Sequence, residues 1–198
     1  MDITQLILDD HHEQRRLFAI LEQVEQAEPG VLEAVWARLS AFLEVHAAAE
    51  EEIFYPELLR VGIGAGGASA AASAEEETLD AIGDHNDIRD AIVAVAGHQV
   101  GSTGWYAAIA AVNLANGDHM AEEEREGLTD FRRRAGLQLR HDLAVAFVAF
   151  EARHFAGVPV VDKDPEVYVR EAEQKIAQTS NALPDGSLGI GSLRETQL

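Results

Sequence analysis

His46-Ala47-Ala48-Ala49-Glu50-Glu51 and His119-Met120-Ala121-Glu122-Glu123-Glu124 are two copies of one pattern: a histidine, a glutamate four residues on, and a second glutamate directly after it. Positions i and i+4 share one face of an α-helix, one turn apart, so each pattern places an imidazole and a carboxylate side by side. Each copy has a companion upstream. Asp10-His11-x-x-x-Arg15 precedes the first, and Asp84-His85-x-x-x-Arg89 precedes the second. His11 and His46 are 35 residues apart, and His85 and His119 are 34 apart. A two-helix unit therefore occurs twice.

The turns give the geometry of that unit. Pro29-Gly30 lies midway between His11 and His46, and Gly101-Ser102-Thr103-Gly104 lies midway between His85 and His119. In an antiparallel helix pair, residues equidistant from the turn sit at equal height. At ~1.5 Å per residue each histidine lies roughly 25 Å from its turn. The spacing thus brings four imidazoles and two carboxylates, from His11, His46, Glu50, His85, His119 and Glu123, to one level of a bundle interior.

The surrounding residues read as helix. Ile3, Ile7, His11, Gln14, Phe18 and Leu21 recur with a helical period, as do Leu32, Val35, Leu39, Phe42, Leu43, His46, Glu50 and Ile53 in a segment running to about Arg60. A third helix is expected from about Glu75, capped by Ser73, with Ile82, His85, Ile88/Arg89, Ile92 and Val95 on its stripe. A fourth carries Trp105, Ile109, Val112, Asn116, His119 and Glu123, and either continues or breaks around Gly127-Leu128. Gly62 to Ala74 is uncharged and rich in Gly, Ala and Ser, and reads as a flexible connector. A fifth helix is expected over Leu137 to Phe155, an extended stretch over Gly157 to Pro165, and a surface helix over 166–178. The last twenty residues read as poorly ordered. Nothing alternates with a period of two, so the fold class is all-α. The organisation expected is a metal-binding bundle over 1–135 and a C-terminal helix with an extended tail over 136–198.

Composition narrows the chemistry. With 198 residues and 47% of them hydrophobic, the chain can bury a sizeable core. It has no cysteine, which excludes thiolate ligands, disulfides and a cysteine nucleophile. Neither a GxSxG elbow nor an HExxH zinc motif is present. The formal charge of −20 argues against nucleic acid and anionic membranes as partners. No apolar run reaches the ~18–20 residues of a membrane span. Met1-Asp2-Ile3-Thr4 lacks the basic and apolar regions of a signal peptide, so a cytoplasmic location is the expectation.

Buried carboxylates cost roughly several kcal/mol each unless paired or metal-bound. Two divalent cations bridged by Glu50 and Glu123 would satisfy all six groups. One histidine on an apolar stripe usually signifies packing; four at matched positions in a repeat do not. Imidazole and carboxylate together suit Fe, Mn, Zn or Cu.

These motifs, with Ile53-Phe54-Tyr55-Pro56 after the first and Arg125-Glu126-Gly127-Leu128 after the second, resemble the hemerythrin-like HHE cation-binding family over roughly residues 3–135. The resemblance implies an up-down-up-down four-helix bundle. It implies two iron ions, oxo- or hydroxo-bridged, held by His11, His46, Glu50, His85, His119 and Glu123, with Glu50 and Glu123 bridging. Oxygen-carrying members have HxxxH on the third helix. Here Arg89 stands four residues after His85, so one histidine is missing and the coordination sphere is more open. Standard oxygen carriage is therefore not expected; reactivity with oxygen, peroxide or nitric oxide is. The competing reading is an iron- or oxygen-sensing module, with residues 156–198 as the surface for a protein partner. Of the adjacent histidines, His11 rather than His12 is on the stripe. Tyr55, one turn beyond Glu50, reads as core packing, with an approach to the centre as its second reading. Glu51 reads as a solvated carboxylate or one just outside the centre. His98 and His141 read as surface residues. Glu151-x-x-His154 is a single ExxH, where a ferritin-like site needs two.

Overall fold

A computed structural model describes residues 1–24 and 27–182. Among them the chain is all-helical, with no strand. The elements are α1 (Ile3–Gln23), α2 (Pro29–Ala49), a π-helical turn (Glu50–Phe54), α3 (Tyr55–Gly64), α4 (Ala68–Val95), α5 (Thr103–Arg125), α6 (Gly127–Arg134), α7 (Leu137–His154) and α8 (Pro165–Ala182). Asp2 caps α1, its carboxylate accepting from Thr4 N at 3.0 Å. Ser102 caps α5 by accepting from Trp105 N at 3.2 Å. Pro29 does more than break the chain: it is in the first turn of α2, where its missing N–H has no intrahelical duty.

The apolar core is split in two by a polar layer. One cluster includes Leu17, Phe18, Leu39, Leu43, Trp105 and Val112. The other includes Ile3, Ile7, Phe54, Ile82, Phe131 and Phe147. Along α1, α2 and α4 the buried histidines lie between residues of these two clusters, and His119 of α5 lies between Val112 of the first and Leu128 of the second, on α6. Hydrocarbon on both sides, at ~25 cal/mol per Å² of buried apolar surface, drives the four helices together and carries the polar layer into the interior.

Several local expectations are corrected. The 62–74 connector is absent: α3 runs to Gly64 and α4 begins at Ala68, and the turn between them needs only Gly66 (φ +72°) and its neighbours. Small residues serve close packing there, because a Cβ on Gly62 would lie 2.6 Å from Ala74 Cβ. Ser73 is consequently inside α4, and its hydroxyl donates to Glu77 at 3.0 Å instead of capping a helix. The segment expected to run from residue 32 to about Arg60 is interrupted by the π-helical turn. The helix near 166–178 spans Pro165–Ala182 and is docked, with Val169 and Ala172 buried against Leu59. The fifth helix follows its expected bounds closely, and α7 packs against α1 and α2. The tail expected to be poorly ordered lies, from residue 183 on, outside the described residues.

Candidate metal centre

All six sequence-derived candidates are buried in the polar layer: His11, His46, Glu50, His85, His119 and Glu123. His12 is exposed, as are His98 and His141. His46 Nε2 lies 2.9 Å from Glu50 Oε1 and His85 Nε2 lies 3.3 Å from Glu50 Oε2, so the two oxygens of one carboxylate face the two halves of the repeat. His11 Nε2 is 3.3 Å from Glu123 Oε2. His85 Nε2 and His119 Nε2 are 3.1 Å apart. Among the described residues three groups of three have ligand atoms within 4.8 Å of one another; two are fully buried, His11–His46–Glu50 and Glu50–His85–His119, with Glu50 common to both, and the third, Asp10–His46–Glu151, lies behind His46. Glu123 is in neither group; it stands beside His11 and lines the cavity that His119 also lines.

Behind each imidazole stands a carboxylate. His11 Nδ1 donates to Glu124 at 2.9 Å, His46 Nδ1 to Asp10 at 3.3 Å, His85 Nδ1 to Glu51 at 2.9 Å, and His119 Nδ1 to Asp84 at 3.4 Å. An ionised carboxylate only accepts, so each Nδ1 carries a proton and Nε2 is the nitrogen turned inward, the one that can ligate a metal in place of a proton. Every member of the repeat now has a position. The aspartates preceding His11 and His85 hold His46 and His119 of the same unit. The second glutamates, Glu51 and Glu124, cross over to hold His85 and His11 of the other unit. Arg15 and Arg89 steady those glutamates, through Arg15 Nη2 to Glu124 at 2.8 Å and Arg89 Nη2 to Glu51 at 2.6 Å.

The inward atoms are left without partners. His11 Nε2, His46 Nε2, both oxygens of Glu50, both oxygens of Glu123 and the Tyr55 hydroxyl are buried and make no hydrogen bond of acceptable geometry. So many converging orphans in one place are costly unless a ligand satisfies them. The donor set, imidazole nitrogens and carboxylate oxygens, fits a divalent or trivalent metal. The electrostatics agree. Burial alone would lower His46 and raise Glu50, yet the pair reverses both: His46 is pushed well above its ordinary value and Glu50 held well below. The layer is built for cationic charge beside ionised carboxylate. Glu51 is held at about 2, His85, Lys163 and Arg89 overcoming the upward effect of burial.

A family model, the hemerythrin HHE cation-binding domain, matches residues 2–131. The chain belongs to this hemerythrin family. That membership and the donor groups make it a metal-binding protein of helical fold. No curated protein and no solved structure matches it significantly. Among the described residues, no helix is long and apolar enough to cross a membrane.

The hemerythrin-like site has an opening. A cavity of about 150 Å³ reaches inward to Tyr55, His119 and Glu123, and its outer wall carries Glu76, Glu77, Asp80, Glu122 and Glu126. Tyr55 does both things read for it: the ring packs in the core and the hydroxyl faces the centre. Burial, then the charges of Glu123 and Glu50, push that phenol well above its ordinary pKa, so it stays a hydrogen-bond donor. Sequence reasoning did not assign roles to Asp10, Asp84, Glu124 or Arg15 as supports. The signal was available, since all four are part of the repeat. Lys163, Tyr168 and Glu151, which also reach the site's periphery, had no such signal.

Proposed function

We propose that the chain holds two iron ions in the polar layer and binds or reduces small oxygen or nitrogen species there: oxygen, peroxide or nitric oxide. The observation that carries this is the set of partnerless inward atoms on His11, His46, Glu50, Glu123 and Tyr55. In this reading His11 and His46 would hold one ion and His85 and His119 the other, with Glu50 and Glu123 as their carboxylate ligands. The four helices α1, α2, α4 and α5 then form an up-down-up-down bundle around the pair. Iron bound there supplies one-electron redox chemistry towards small guests.

The protein does the rest. The four carboxylates behind the imidazoles fix ring orientation and raise ligand basicity. The two apolar clusters exclude bulk water. Tyr55 offers a hydroxyl to a guest beside Glu123. Arg89, in the place of a further histidine, turns away from the layer towards Glu51 and supplies no ligand, which keeps the sphere open. The acid-lined cavity repels anions and admits cations and neutral molecules. A sensing module is the second reading. It is favoured by the contacts that residues after 135 make with Asp10 and Glu51, because occupancy of the layer would be felt there.

Metal analysis and an optical spectrum of freshly purified protein, before and after peroxide, test this. About two irons per chain with near-ultraviolet absorption that peroxide changes are the expected result. Metal should also stabilise the fold, by about 2.7 kcal/mol at a hundredfold excess over Kd, so a chelator should lower Tm. Protein that takes up no iron after anaerobic reconstitution would overturn the reading. The variant His119→Ala should lose at least one metal per chain, and retention of both would remove that residue from the ligand set.

A further inference from the structure

The repeat predicts a two-fold equivalence that the structure breaks at the second glutamates. Glu51 and Glu124 are repeat-mates, each bonded to a histidine Nδ1 and an arginine. The Glu124 side chain is 28% exposed, whereas that of Glu51 is 1% exposed. The difference comes from a segment beyond the family match. Lys163 Nζ lies 2.5 Å from Glu51 Oε2, and among the described residues no lysine reaches Glu124. The chain has two lysines in all, at 163 and 175.

Lys163 is held there by its backbone. Its N–H donates to Asn86 Oδ1 at 3.1 Å and its carbonyl accepts from Asn86 Nδ2 at 2.7 Å, one residue after His85. Asp164 then caps the start of α8, accepting from Val167 N at 2.9 Å. Tyr168 reaches the same glutamate from the next turn, donating to the Glu51 carbonyl. That carbonyl needs a donor because of the π-helical turn. Tyr55 N–H bonds Glu50 O, five residues back, and the next bond in this register would come from Pro56, which has no N–H. Buried Val169 and Ala172 keep α8 in place against α3.

We propose that residues 162–169 form a positioning arm of the metal centre, in which Lys163 and Tyr168 hold Glu51 and thereby set the donor strength and orientation of His85. This rests on the metal-binding reading above. Glu51 accepts from His85 Nδ1, so whatever weakens or strengthens that acceptor is transmitted to Nε2. The ammonium of Lys163 draws off part of the carboxylate's charge and makes His85 a weaker donor. One half of the site is thereby made unlike the other, and the segment outside the family domain does it.

The test titrates full-length, metal-free protein anaerobically with ferrous ion and measures the midpoint potential of the loaded form. The variant Lys163→Met removes the charge and leaves the backbone bonds to Asn86, whose side-chain amide resonance reports that the arm is still docked. Expected are a change of about tenfold in the affinity of one of the two equivalents, the other unchanged, and a lower potential. Lys163→Arg should restore both. A docked Lys163→Met arm with wild-type affinities and potential would overturn the proposal, as would failure of Lys163→Arg to restore them. If the wild-type protein binds no metal, the metal reading itself falls, a result distinct from either.

Discussion

Arg89 donates to Glu51 at 2.6 Å with both side chains buried, while its repeat-mate Arg15 donates to Glu124 at 2.8 Å with its own side chain 40% exposed. The same bond has different worth in the two places. Removing one partner of a buried pair costs about 3–5 kcal/mol, and exposed pairs contribute ~0–1 kcal/mol. Arg89→Met should therefore destabilise the metal-free protein by about 3 kcal/mol, the low end because His85 and Lys163 still face Glu51. Arg15→Met should cost less than ~1 kcal/mol. Urea denaturation of the two variants measures this, and equal losses would contradict it.

Glu77 gives the pH dependence. It lines the cavity, and burial, with the charges of Asp130 and Glu126, lifts its pKa to about 7, against the downward effects of Ser73 and Arg134. A carboxyl whose folded pKa is raised costs nothing below its unfolded value. The cost grows as pH rises from about 4.5 to about 7 and is fully present above that. Glu77→Gln should melt at the same temperature as wild type near pH 4.5. At pH 8 it should be more stable by on the order of 1 kcal/mol, the nearby solvent screening the rest. A melting difference that is constant with pH would argue against this.

Gly62 and Gly83 should respond oppositely to alanine. Helix propensity favours Ala over Gly by about 1 kcal/mol at an interior helix position. Gly83 has nothing within 4 Å of a notional Cβ, so Gly83→Ala should gain stability. At Gly62 the Cβ would meet Ala74 Cβ at 2.6 Å and the Ala70 carbonyl oxygen at 3.0 Å, and backbone cannot step aside cheaply. The overpacking penalty of about 1–3 kcal/mol should win, and Gly62→Ala should lower Tm.

The candidate site was legible because it is periodic. Two copies of DHxxxR and HxxxEE, at matched spacing, named six buried residues that the structure brings into one layer. What was missed lacked periodicity or imitated something else. Ala, Gly and Ser between residues 62 and 74 have the composition of a linker, but the same small side chains allow two helix backbones to approach. The π-helical turn at Glu50 has no signature of its own; Pro56 only makes sense of it afterwards. Lys163 and Tyr168 lie more than a hundred residues from Glu51 in the chain, and a pairing of that kind follows from how α8 docks, which no local pattern encodes.

The crossed supports have a consequence for assembly. His11 depends on Glu124, and His85 depends on Glu51, so each hairpin carries the brace for its neighbour's imidazole. Neither hairpin alone contains a finished half of the centre. Docking of the two hairpins on each other is thus what readies all four imidazoles. A molecule whose hairpins separate should lose the orientation of His11 and His85 before that of His46 and His119, whose braces lie in their own units.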